Sequence, residues 1–127
     1  GAYFNGNSGS AHVFVRSGED WKHQAKVLAP DGAAGDYFGA SVAIYGDTIV
    51  VGAWYDDDNG SSSGSAHVFA RSGEEWTHQA KLLAPDGAAG DVFGRRFAIY
   101  ENSIVVVAQY DDDNGYGSGS AHVFVVG

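Results

Sequence analysis

Two loops carry the residue types best suited to chemistry in this sequence: Tyr55-Asp56-Asp57-Asp58-Asn59-Gly60 and Tyr110-Asp111-Asp112-Asp113-Asn114-Gly115. A hard cation such as Ca²⁺ takes six to eight oxygens, and carboxylates or amides on a tight loop closed by glycine can converge on one ion. Two registers are open. One uses Asp57 and Asn59 (Asp112 and Asn114 in the second loop), the other Asp56 and Asp58 (Asp111 and Asp113). The competing reading is a solvated acidic turn, in which Asp and Asn cap their own backbone and discourage edge pairing. The segment Ala2-Tyr3-Phe4-Asn5-Gly6 lacks the Asp triplet and is expected to hold no ion. Aromatic rings flank the acidic loops at Trp54, Tyr55, Tyr110 and Tyr116, a combination that could take a carbohydrate.

Other chemistry finds less support. His12, His67 and His122 recur once per repeat beside apolar alternation, with His23 and His78 on a later strand. Equivalent positions in successive units point into successive interfaces, so these histidines read as packing or rim residues rather than zinc ligands. Trp21 and Trp76 read as packing residues. Arg95 and Arg96 could bind an anion near the centre of the fold or pair with Asp91, and the salt bridge is the plainer reading. With no cysteine, no Ser-His-Asp context and no apolar pocket evident around the carboxylates, the chain is expected not to be an enzyme.

The elements that must position these loops come from an internal repeat. Residues 10–64 recur as 65–119 with 40 of 55 positions identical, and Ser-Ala-His-Val-Phe starts a third, partial copy at 120–127. A long fixed period marks a unit that buries its apolar surface by stacking on copies of itself. Within one unit, Ala40–Tyr45 and Thr48–Tyr55 are apolar runs joined by Gly46-Asp47, the signature of a tight hairpin. Ser65–Arg71 and Trp76–Leu83 follow as third and fourth strands around Ser72-Gly73-Glu74, and Pro85 ends the last. No helical apolar stripe appears, so the fold is predicted to be all-β. Both faces of the strands are apolar, which predicts sheets covered on both sides. Four-stranded antiparallel meanders stacked around an axis are β-propeller blades, about two per chain here, with a parallel β-helix as the competitor.

Gly-Asp-Tyr-Phe-Gly at 35–39, Ile-Val-Val-Gly-Ala at 49–53, the Asp-rich loop and Ser-Ala-His-Val-Phe occur in this order, and the series is repeated with changes in the second copy. It resembles the FG-GAP repeat of integrin α-subunit propellers, most closely the bacterial type, over essentially the whole chain. The resemblance implies a propeller whose Phe38 and Phe93 fill the wedge between blades. It also implies a Ca²⁺ loop of the form Asp-x-Asp-x-Asp/Asn-Gly between second and third strands, where the loops at 56–59 and 111–114 lie, although Tyr55 holds the first ligand position. The second copy has Val107-Ala108-Gln109 for Gly52-Ala53-Trp54 and Arg95-Arg96 for Ala40-Ser41, so its blade is expected to pack differently at the centre.

Sixteen acidic against seven basic residues leave a net charge of −9, which disfavours nucleic acid and anionic membranes as partners. No apolar run approaches a membrane helix, and because Gly1 opens directly into repeat-like sequence, no charged and apolar leader is expected within these residues. Two repeats and a fraction do not close an array, so the chain is expected to belong to something larger. The function expected is a Ca²⁺-associated binding or adhesion module, extracellular or at the cell surface by resemblance, that takes a glycan or extracellular protein. It would close its ring as a homo-oligomer, a trimer of six blades being simplest. A structural self-assembling unit without a specific ligand is the alternative, and a propeller glycoside hydrolase a remote one.

Overall fold

The computed structural model describes residues 9–30, 38–53, 64–83, 93–108 and 119–125, which form nine strands and no helix. These are β1 (Ala11–Ser17), β2 (Asp20–Val27), β3 (Ser41–Tyr45), β4 (Thr48–Ala53), β5 (Ser65–Ser72), β6 (Glu75–Leu82), β7 (Phe93–Tyr100), β8 (Ser103–Ala108) and β9 (Ser120–Val125). They build three antiparallel sheets, ordered β1-β2, β3-β4-β5-β6 and β7-β8-β9. The middle sheet is the complete four-stranded meander expected from the repeat. Among the described residues, the first sheet corresponds to its third and fourth strands and the last sheet to its first three.

The alternation of the strands decides how the sheets stack. Ile49 pairs with Phe69 and Val51 with His67 on one face of the middle sheet, while Val50 pairs with Val68 and Gly52 with Ala66 on the other. The first face packs on Ala11, Val13 and Val27 of the first sheet, with Phe38 fully buried between them. The second packs on Phe93, Ile104 and Val106 of the last sheet. Val50 and Val51 are both 0% exposed, so the twin apolar faces of β4 are covered as expected.

β3 is the exception. Val42 and Ile44 share a face with Val51 and Ile49, yet they are 49% and 59% exposed. The reason is geometric: among the described residues, the first sheet offers only β1 and β2 to cover that face. In the last sheet, the corresponding Phe97 and Ile99 are partly buried because β3 and β4 stand opposite them. The sheets also part company at one hairpin. Gly46 takes φ +56° before Asp47, and its counterpart Glu101 must adopt φ +52° with a side chain attached.

Candidate functional site

Strand direction sorts the connections onto two rims. The two-residue turns at Gly18-Glu19, Gly46-Asp47, Gly73-Glu74 and Glu101-Asn102 all close one end of the sheets. Every long connection, 28–40, 54–64, 83–92 and 109–119, leaves from the other end. The acidic loops spring from matched strand ends there, the first between Ala53 and Ser65 and the second between Ala108 and Ser120. Adjacent blades thus carry them on the same rim.

The floor under that rim is a lattice of backbone groups. Gly39 N–H donates to the Gly52 carbonyl at 3.0 Å, and the Ser41 hydroxyl donates to the Gly94 carbonyl at 2.7 Å across to the next sheet. Gly64 forms a parallel bridge with Phe93. A Cβ at Gly52 would run into the Gly94 carbonyl oxygen and the Ser41 hydroxyl, and one at Gly64 into the backbone of Phe93. Close approach, rather than turn formation, is what these two glycines provide. Phe38 and Phe93 stand beside the lattice, each edge-on to a histidine and a phenylalanine of its own sheet: His67 and Phe69 at 5.4 and 6.1 Å, and His122 and Phe124 at 5.5 and 6.0 Å. The blade-wedge role expected of the two phenylalanines holds.

Trp54, Tyr55, Tyr110, Tyr116 and the cation candidates Asp56, Asp57, Asp58, Asn59, Asp111, Asp112, Asp113 and Asn114 lie outside the described residues, as does Asp91. What the structure places is the pair of strand ends that carry them. Arg96 lies exposed on β7, just past a register shift that separates Phe93 from the regular pairing.

The histidines sit differently from expectation in one respect. His12 Nδ1 lies 3.1 Å from His23 Nε2, and His67 Nδ1 lies 3.0 Å from His78 Nε2, so each is hydrogen-bonded to the histidine eleven residues on. The first pair is exposed, whereas His67 is 1% exposed at the interface of the first two sheets. A spacing of eleven across a tight hairpin, present in both copies, was the signal for this pairing. Among the described residues no group of three or more His, Asp or Glu side chains converges. Trp76 packs between sheets, as expected, and donates its Nε1–H to Gln24 Oε1 at 2.8 Å. Its counterpart Trp21 is 66% exposed.

The sequence model of the FG-GAP repeat matches residues 21–69 and 76–124, most of the chain. The chain belongs to the FG-GAP repeat family. Each FG-GAP match starts at the outer-strand tryptophan, Trp21 or Trp76, and ends at the third-strand phenylalanine, Phe69 or Phe124. One FG-GAP unit therefore spans the outer strand of one sheet and three strands of the next, which ties successive blades together through the chain itself. The antiparallel sheets are the propeller blades of two such repeats. No curated protein matches the chain.

Proposed function

We propose that this FG-GAP chain is a non-catalytic recognition module, extracellular or cell-surface, that presents Ca²⁺-bearing acidic loops and their aromatic neighbours on one propeller rim and associates with copies of itself. The observation that carries this reading is the commitment of the middle blade. Val50, Val51, Ala66, Val68 and Phe69 are buried on its two faces, which leaves recognition to the rim from which the long loops depart. The acidic composition of two of those loops supports a hard cation, and Trp54, Tyr55, Tyr110 and Tyr116 favour a carbohydrate over other ligands. Self-association is supported by the apolar residues exposed on the outer faces of the first and last sheets, among them Phe14 and Val123.

The decisive experiment is thermal melting with Ca²⁺ and with chelator. A ligand that binds only the folded chain adds about 2.7 kcal/mol at a hundredfold excess over its dissociation constant. Melting should rise with millimolar Ca²⁺, and Asp57→Ala with Asp112→Ala should remove the rise. An unchanged curve would identify the loops as solvated acidic turns. Glycan-array binding lost in Trp54→Ala, with the solution mass unchanged, would assign the carbohydrate to the rim.

The same exposed end faces favour a second reading, a self-assembling unit without a specific ligand. Absence of binding to any glycan or extracellular protein, together with a stable oligomer, would select it.

A further inference from the structure

We propose that copies of this chain join head to tail by exchanging a hairpin: β1 and β2 of a second copy displace β9 from β8 of the first, and complete a four-stranded blade with its β7 and β8. This rests on the self-association proposed above and specifies how it occurs.

The exchange begins in the sequence. Residues 10–15 and 120–125 both read Ser-Ala-His-Val-Phe-Val. β1 of a second copy therefore offers β8 the side chains that β9 offers now. Val105 would face Val13 in place of Val123, Ile104 would face Phe14 in place of Phe124, and Val106 would face His12 in place of His122. What β1 adds is β2, to which it is paired from Ala11↔Val27 to Ser17↔Asp20. β9 has no outer neighbour among the described residues, whereas β5 has β6. An edge strand with open backbone groups is a template for such pairing. The tether of β9 to its own sheet opposes the exchange, and the fourth strand favours it, so the exchanged form grows with concentration.

The place for the incoming strand exists. A cavity of about 280 Å³ lies between β6 and the open edge of the last sheet, lined by Gln79, Ala80, Leu82, Ile104, Phe124 and Val125. Its occupant is indicated by the contact already made one blade earlier. There, Trp76 of the outer strand β6 donates to Gln24 on β2 of the preceding sheet. Trp21 holds the place of Trp76 on β2 and is exposed, and Gln79 holds the place of Gln24 on β6 and is exposed. With the hairpin exchanged, Trp21 of the second copy reaches Gln79 of the first and repeats the bond.

Volumes at the inner strands agree. Within the chain, small Gly52 faces large Phe97: a Cβ on Gly52 would stand 3.1 Å from the Phe97 ring. At the outer face of the last sheet the position of Gly52 is Val107, and the position of Phe97 on β3 is Val42, 49% exposed. Head-to-tail joining sets Val107 against Val42 of the second copy. The larger residue at the Gly52 position, Val107, is thus matched by a smaller one at the Phe97 position, Val42, and the smaller partner leaves room for the extra methyls of Val107.

Light scattering of the full chain from micromolar upward gives the first outcome. A monomer throughout overturns self-association, and the exchange with it. Given an oligomer, two cysteine pairs read the strand on β8, against a background of no native cysteine. Val13→Cys with Val105→Cys should give an inter-chain disulfide, because these residues sit in sheets on opposite faces of the middle sheet within one chain. Val105→Cys with Val123→Cys should stay largely reduced in the oligomer. The reverse pattern overturns the exchange and leaves self-association standing. Val42→Phe should weaken assembly at least tenfold, and Val42→Phe with Val107→Gly should restore it. Undiminished assembly of Val42→Phe, or no recovery in the double variant with both proteins folded by circular dichroism, overturns the proposed seating.

Discussion

Single backbone positions set the blade spacing in this protein, and Gly52 is the clearest. Its neighbours in the would-be path of a Cβ are a backbone carbonyl and a hydroxyl already engaged as a donor, Gly94 O and Ser41 Oγ, neither of which can swing aside. Gly52→Ala should therefore destabilise by about 1–3 kcal/mol, the usual cost of forcing extra volume into a packed site. Urea denaturation checks this, and an unchanged midpoint would mean that the blades part without penalty. Glu101 presents the opposite case. It adopts φ +52°, a conformation that costs an L-residue roughly 1–2 kcal/mol, where the first repeat has Gly46. Glu101→Gly should raise stability by up to about 1 kcal/mol, the strain relieved being partly offset by the greater freedom of the unfolded chain. A fall in melting temperature would refute the strain argument. Asp47, whose carboxylate pairs with Arg71, is 66% exposed at its side chain, and Arg71 lies 5.6 Å from the Trp76 ring. A surface pair of this kind is worth under about 1 kcal/mol, which agrees with the second repeat's use of Asn102 there.

At the scale of strands and sheets, the two wedge phenylalanines should matter most. Phe38 is 0% exposed between the first two sheets and Phe93 is 0% exposed between the last two. Phe38→Ala or Phe93→Ala should cost about 3–5 kcal/mol. Hydrogen exchange should locate each loss, with β1 and β2 losing protection in Phe38→Ala and β7 to β9 in Phe93→Ala. Uniform loss in both variants would make the three sheets one cooperative unit instead. These strands were legible in the sequence for physical reasons. The turn pairs Gly46-Asp47 and Gly73-Glu74 fix two hairpins, and the apolar residues on both faces of Ile49–Val51 require two covering sheets. The exposure of Val42 and Ile44 was not legible, because it depends on which strands stand opposite rather than on β3 itself. Nor was the Trp76–Gln24 bond, which joins positions 52 apart through stacking that no local spacing encodes. The acidic loops were legible as candidates alone: composition nominates Asp56 to Asn59, while convergence of oxygens is a property of geometry, and those residues lie outside the described set.

At the scale of the whole molecule, charge and apolar surface oppose each other. Each copy carries a net charge of −9, with six carboxylates in the two Asp triplets. Both acidic loops depart from one rim, so joining copies head to tail would gather these triplets around a common circle. The faces that would meet offer Phe14, Val42, Ile44 and similar residues, which gain from burial and are indifferent to moderate salt. Repulsion between rims is screened over a Debye length that falls from about 30 Å at 0.01 M to about 10 Å at 0.1 M ionic strength. Assembly should therefore strengthen as sodium chloride rises across that range, the reverse of an interface held by opposite charges. Ca²⁺ bound in the loops would neutralise the same charges where they stand, so millimolar CaCl₂ should promote assembly more than sodium chloride of equal ionic strength. Sedimentation velocity at fixed protein concentration distinguishes the cases. Equal effects of the two salts would assign the response to screening alone, and weaker assembly with rising salt would place complementary charges, not Val and Phe, at the joint.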